Sequence, residues 1–355
     1  MAGDRGFSLV ELLVAAALAL LITGALAAAL NPSRLLAESQ AEAMDMQQGA
    51  RFAIAALRRD LSLAGAGPER GAGAGPLVNY LPPILPRRIG ARDADSAATA
   101  RSDAFSVLWV PRTSAQATLD ATLDTGRLVV SPSDACFPAS MACGFSQGMG
   151  VVVFDDTGRF DLFTAIGADA TGVTVLRRAA GAALSYPIGS AAAEVIARTW
   201  YFDPATRQLR QYDTETTDTP VLDDVVAMRV EYFGRPDAPS QPKPPVGVAN
   251  CLYDSAGTPL PFPGTIPTGG TFVAIPLDRF TDGPWCGAGG IEFDADLLRV
   301  RRVKVTLTLQ ASSRAMRGRG ADFLSTGTNV SVWNRLADLV VVVDTAPRNL
   351  RLSDR

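Results

Sequence analysis

The chain has 355 residues, 47% hydrophobic and 19% charged, and its 33 Lys+Arg against 36 Asp+Glu give a formal charge of -3. There is no histidine, which excludes Ser-His-Asp triads, His-ligated zinc and imidazole proton shuttles. The mild acidity gives no general attraction for nucleic acid, and the length provides one large domain or two modest ones with apolar material for a core.

The first predicted element is a long helix. From Leu12 to Leu30 the chain is apolar apart from Thr23 and Gly24, a run of about 28 Å as a helix and close to the hydrocarbon thickness of a bilayer. Just before it stand Gly6-Phe7-Ser8-Leu9-Val10-Glu11. An ordinary secretory signal, cut after Ala25-Leu26-Ala27, is the plain alternative. Glu11 speaks against it, because a carboxylate in an apolar span costs on the order of 2.5–3.5 kcal/mol and calls for a partner.

Gly6-Phe7-Ser8-Leu9-Val10-Glu11-Leu12 resembles the class III signal of type IV pilins and type II secretion pseudopilins. The resemblance implies a leader over residues 1–6, cleavage by a prepilin peptidase between Gly6 and Phe7, and N-methylation of Phe7. It also implies that residues 7–30 stay on the mature chain as a transmembrane and filament-core helix. Glu11 would then pair with the freed amino group of Phe7 on a neighbouring subunit, each charge offsetting the desolvation of the other. The leader departs from the pattern in having Arg5 as its only cation, beside Asp4.

Asn31-Pro32 predicts a kink. An amphipathic continuation over residues 31–64 follows, its stripe formed by Leu36, Ala43, Met46, Ala50, Ala53, Ile54, Leu57 and Leu61. Gly65-Ala66-Gly67-Pro68 ends the helix.

Residues 65–355 read as a β-rich domain, beginning with a loop over 65–103. Strands are expected at Phe105–Val110, Leu128–Val130, Gly150–Phe154, Phe160–Thr164, Val173–Leu176 and Glu194–Ala197. Thr199–Phe202 and Leu209–Tyr212 flank a turn and form a hairpin; Val225–Phe233, Arg302–Gln310 and Leu339–Val343 complete the set, with Leu222-Asp223-Asp224 as a turn or helical step. Residues 234–290, rich in Pro and Gly, read as an insertion. The four cysteines, Cys136, Cys143, Cys251 and Cys286, suit two disulfides in an exported chain and allow three pairings; proximity favours Cys136–Cys143 and Cys251–Cys286. A four-thiolate zinc site is the competing reading, without the short knuckle spacing.

Later segments extend the resemblance. Arg51–Leu61, Val221–Tyr232, Val300–Leu309 and Pro347–Leu350 are similar to segments of PilW-type minor pilins and of the J-type pseudopilin, and the chain length favours the former. The fold implied is α+β, a long pilin helix packed against an antiparallel β-sheet domain with a large disulfide-tied insertion. The role implied is a minor pilin that primes pilus assembly at or near the filament tip, without enzymatic activity. Its partners would be other minor and major pilins, the prepilin peptidase, the inner-membrane assembly platform and a tip adhesin. The location implied is a single-pass inner-membrane protein with a periplasmic C-terminal domain, later part of the extracellular pilus and of cell adhesion. The alternatives are a J-type pseudopilin and, from another class, a membrane-anchored periplasmic enzyme or binding protein.

Other chemistry is weakly signalled. Gly144-Phe145-Ser146-Gln147-Gly148 matches a nucleophile elbow but has a strand after it instead of a helix, and no histidine base exists. Asp294-Ala295-Asp296 and Asp134 are candidate calcium ligands without a complete loop motif, so no cofactor is expected. Arg299, Arg301, Arg302 and Lys304 alternate faces on a strand and form no single basic stripe for nucleic acid; Arg314, Arg317 and Arg319 follow.

Overall fold

The computed structural model describes residues 8–67, 76–112, 115–124, 126–130, 143–169, 172–178, 185–262, 266, 271–330 and 335–354. The chain divides into two compact units, one of residues 1–49 with 309–339, the other of residues 50–308 with 340–355. Helix α1, Leu9–Leu63, contributes to both. It continues as helix through Asn31-Pro32, the place of the expected kink. Proline removes one backbone donor and crowds the preceding turn, and the strong helix formers on either side carry the helix across that loss. In the first unit, Glu42 of α1 accepts hydrogen bonds from Ser312 N (2.5 Å) and Ser312 Oγ (2.7 Å). Asp338 accepts from Gln310 Nε2 (2.9 Å) and Leu324 N (3.1 Å).

The strands, in chain order, begin with β1 (Ile84–Leu85), β2 (Ala104–Trp109), β3 (Gln116–Thr118), β4 (Arg127–Leu128), β5 (Gly150–Phe154) and β6 (Phe160–Asp169). Next come β7 (Gly172–Arg177), β8 (Ala191–Glu194), β9 (Ile196–Asp203), β10 (Gln208–Tyr212), β11 (Asp218–Leu222) and β12 (Val225–Gly234). The last are β13 (Val273–Ile275), β14 (Trp285–Cys286), β15 (Phe293–Asp294), β16 (Val300–Leu309) and β17 (Leu339–Thr345). Among the described residues they form a sheet ordered β1-β2-β9-β10-β11, a second ordered β13-β12-β16-β17, a third ordered β3-β8-β5-β6-β7-β4, and the pair β14-β15. The pairings given for the first and third sheets are antiparallel. The α+β expectation holds.

The third sheet has its own core, built from Val151, Val153, Phe163, Val173 and Tyr186 among others. The segment expected as one strand, Glu194–Ala197, is divided: Glu194 ends β8 in the third sheet and Ile196 starts β9 in the first. Val195 between them is buried and donates its backbone N–H to Gly150 O (2.8 Å). The expected hairpin is present, with Gln208 opposite Asp203 and Tyr212 opposite Thr199.

The C-terminal part of α1 packs within the second unit. Ala50, Ala53, Leu57 and Leu61 are buried at spacings of three and four residues, as the stripe requires, while Leu36 is exposed. Asp60 on the same part of α1 is buried as well. Its Oδ2 accepts hydrogen bonds from Trp200 Nε1 of β9 (3.0 Å) and Gln211 Nε2 of β10 (2.7 Å). Burial pushes the Asp60 carboxyl up, and the hydrogen bond from Trp200 opposes the shift. Gly65, at φ +71°, ends the helix; a Cβ there would meet Pro83 Cγ at 3.0 Å and Leu350 Cδ2 at 3.2 Å. Its neighbourhood is closed by Asn349 Nδ2, which donates to Ser62 O and Ala64 O (each 3.3 Å).

Leu57→Ala is expected to lower stability by about 2–5 kcal/mol through the cavity it leaves. Asp60→Ala is expected to cost about 1–3 kcal/mol by leaving the buried Trp200 N–H without an acceptor. Urea unfolding of the full chain in detergent checks both, and unchanged midpoints would show that this helix face does not hold the unit together.

Candidate functional site

Gly6 and Phe7 lie outside the described residues. The first described residue, Ser8, begins a reciprocal cap: Ser8 N donates to Glu11 Oε2 (2.9 Å) and Glu11 N donates to Ser8 Oγ (3.2 Å). Ser8-Leu9-Val10-Glu11 is therefore a capping box, which satisfies two of the free N–H groups at the start of α1. The serine-to-glutamate spacing carried that signal in the sequence, but Glu11 was read there for assembly alone. In the chain by itself the carboxylate engages its own helix, and both Ser8 and Glu11 are exposed.

Beyond the cap, Leu9–Ala28 has a mean hydropathy of 2.4 and none of it is buried. Leu9 is 76% exposed and Leu20 74% exposed, so none of the described residues covers this apolar surface. Thr23 directs its hydroxyl to Ala19 O and Leu20 O, so even its polar group is turned back on the helix. A fully apolar helix of this length either spans a bilayer or packs among other helices.

Residues 1–27 match the family model of the prokaryotic N-terminal methylation motif. The chain carries a type IV pilin-like prepilin signal. This motif implies a prepilin-peptidase substrate that assembles with other pilins, and one apolar helix among the described residues fits membrane anchoring. No curated protein matches the chain, and no solved structure matches it.

Cys251 and Cys286 form a disulfide. Cys143 is also disulfide-bonded, while Cys136 lies outside the described residues. The bonded Cys251 and Cys286 replace the zinc-site alternative there with a covalent tie between residues 35 apart.

Asp294 and Asp296 gather with Asp282 within 4.8 Å; Asp134 lies outside the described residues. The oxygens of Asp294 and one oxygen of Asp282 are engaged by the protein. Asp294 accepts from Gly283 N (2.6 Å) and Asp296 N (2.7 Å), and Asp282 meets Arg279 at 2.8 Å. Asp296 Oδ1 lies 2.8 Å from Arg299 Nε, yet neither atom has a hydrogen-bond partner. That pair is a coulombic contact without hydrogen-bond alignment, so it offsets only part of the burial. Desolvation pushes Asp294 up to about 6 and Asp296 up to about 7.

The other sequence candidates separate. Residues 144–148 form turns that lead into β5, and Ser146 is exposed. In the basic run, Arg301 is buried and donates to Leu298 O and Val300 O, Arg302 pairs with Asp344, and Lys304 pairs with Glu231 (2.9 Å). These alternate sides of β16 are the alternation expected for a strand.

A groove of about 990 Å³ in the second unit was not foreseen. Phe52, Ala56, Arg59 and Leu63 of α1 form one wall, and Trp109 and Arg198 are among the residues opposite. Arg198 Nη1 donates to Gln211 Oε1 (3.4 Å), which links it to the Asp60 network. The signal in sequence was a carboxylate, Asp60, beside the apolar stripe; the arginines gave none.

The folded chain holds protons on Asp294 and Asp296 to about pH 6 and 7, against an ordinary value of 3.8. It therefore binds more protons than the unfolded chain in that window, and stability falls as pH rises from about 4 to about 7. Buried Asp60 and Asp161, also raised by desolvation, act in the same direction. Asp103 and Asp344 are lowered by hydrogen bonds from Arg101 and Arg302, and their opposite dependence falls at lower pH. Urea midpoints from pH 4 to 8 should decline for the native chain and decline less for Asp294→Asn/Asp296→Asn; a rising native midpoint across that window would contradict the assignment.

Proposed function

We propose that the chain is a minor pilin of the PilW type, which primes type IV pilus assembly and sits at or near the filament tip. The observation that carries this reading is the methylation motif followed by an unburied apolar helix with Glu11 in its first turn. The peptidase cuts between Gly6 and Phe7 and methylates Phe7. The apolar helix first anchors the chain in the inner membrane with residues 65–355 in the periplasm, then enters the filament core. There Glu11 exchanges its cap for the Phe7 ammonium of a neighbouring subunit, a buried pair in which neither charge is tolerable alone. The domain meets other minor pilins, major pilins and a tip adhesin, while the assembly platform drives extension. The same signal also serves pseudopilins, so a J-type subunit of a type II secretion system is the second reading; the extra length of the chain favours the pilus.

Intact-mass and N-terminal peptide spectrometry of the chain from its native membrane should find a mature protein beginning with singly methylated Phe7. A Glu11→Val variant should be processed yet enter filaments at least about tenfold less, the cost of a buried ammonium left alone being several kcal/mol. A chain beginning near Ala28, or one retaining Met1 with Glu11→Val behaving as the native chain does, would overturn this function.

A further inference from the structure

Many arginines of the second unit are matched to carboxylates: Arg101 to Asp103 (2.8 Å), Arg159 to Asp155 (2.5 Å), Arg299 to Asp296 (2.8 Å) and Arg302 to Asp344. Around the groove the pattern breaks. Among the described residues, Arg59, Arg112 and Arg198 line it without a carboxylate at ion-pair distance. Arg59 and Arg198 act only through space on Asp60, whose Oδ2 is already taken by Trp200 and Gln211. Three guanidinium groups thus line the cleft against one carboxylate, Asp60, which leaves an excess of positive charge, and a guanidinium prefers a carboxylate held in its fork.

The wall formed by α1 indicates the shape of what fits. Phe52, Ala56, Arg59 and Leu63 follow one another at spacings of four, three and four, a single helix face left uncovered, with Phe52 65% exposed. Small Ala56 in the middle of that face lets a second helix lie close along it. The fitting partner is therefore a helix with small residues, an apolar side chain and acids.

The chain carries such a helix itself. On α1, Ala37, Glu38, Ala41, Met44, Asp45 and Gln48 are all exposed, Met44 at 70%. Glu38 and Asp45 stand seven residues apart on one side. Asp45 forms no ion pair among the described residues, and Glu38 reaches only exposed Arg34 at 3.3 Å.

We propose that the groove beside Phe52–Leu63 receives the acidic face of α1, residues 37–48, from a second copy of the chain. The two surfaces differ, so the contact is head-to-tail: each copy that fills one groove still offers its own groove and its own acidic face. Such a heterologous contact propagates in one direction unless its rotation closes a ring. The inference rests on the pilin-like reading, because it treats the chain as a subunit among subunits.

The test uses two differently tagged full-length copies expressed together in the membrane, with photoreactive benzoylphenylalanine replacing Phe52. The adduct should map to residues 37–48 of the other copy. Arg59→Glu/Arg112→Glu and, separately, Glu38→Arg/Asp45→Arg should each cut its yield at least about tenfold, as like charges meet across the contact. Co-expressing one copy of each variant should restore it, since every groove then faces a face of opposite charge. These substitutions are at exposed positions, and that restoration also shows that both variants fold. Unchanged yields, adducts elsewhere in the chain, or a mixed pair that stays uncrosslinked would overturn the proposal. So would Arg59-dependent binding of the full chain to phosphatidylglycerol vesicles without a copy-to-copy adduct. Processing at Phe7 is read in the same samples. Methylated Phe7 with a charge-independent adduct fails the groove alone, whereas unprocessed chains fail the pilin reading.

Discussion

The Asp60 carboxylate organises the second unit. An apolar stripe such as Ala50, Ala53, Leu57 and Leu61 favours burial but is tolerant of sliding and rotation, because the hydrophobic effect has no direction. A buried carboxylate is directional. It tolerates the loss of water only where Trp200 Nε1 and Gln211 Nε2 converge on it, from two neighbouring strands that hold those donors in register. This fixes the rotation of α1 about its axis, and so decides which residues face outward. Asp60 lines the groove together with Phe52, Ala56, Arg59 and Leu63, so its anchoring to the strands sets where that wall stands.

One helix thereby meets two surroundings. Its first twenty or so residues are apolar on every side and unburied, whereas its last three turns are apolar on one face and buried there. The first part cannot be satisfied within the chain, so its stability as a helix rests on its own backbone hydrogen bonds, its cap and the surroundings it enters. The second part needs the strands. Around these strands the disulfide between Cys251 and Cys286 ties a long connection of little regular structure to β14.

Periodicity made the helix, its end at Gly65 and the longer strands legible, because burial of one face imposes a repeat on the residues themselves. The strands β1, β3 and β13 to β15, of two or three residues each, are too brief to show one. β11 was hidden by Asp218 and Pro220, residues that discourage strand assignment and are tolerated on an edge. The division at Val195 was invisible because residues on both sides continue as extended chain; only pairing with different neighbours separates β8 from β9. Of the residues in the proposed function, Glu11 was legible as a charge where charge is costly. The groove was not, since it depends on which arginines find a carboxylate, and that is settled by the fold.

The cap at Ser8 and Glu11 has a consequence for maturation. Here the helix is closed by residues that all lie downstream of the Gly6–Phe7 bond. On the proposed cleavage between Gly6 and Phe7, both residues of the cap would stay on the mature chain. On the proposed exchange, release of Glu11 to another subunit would reopen that end, so that joining a filament and loosening the start of the helix would be one event.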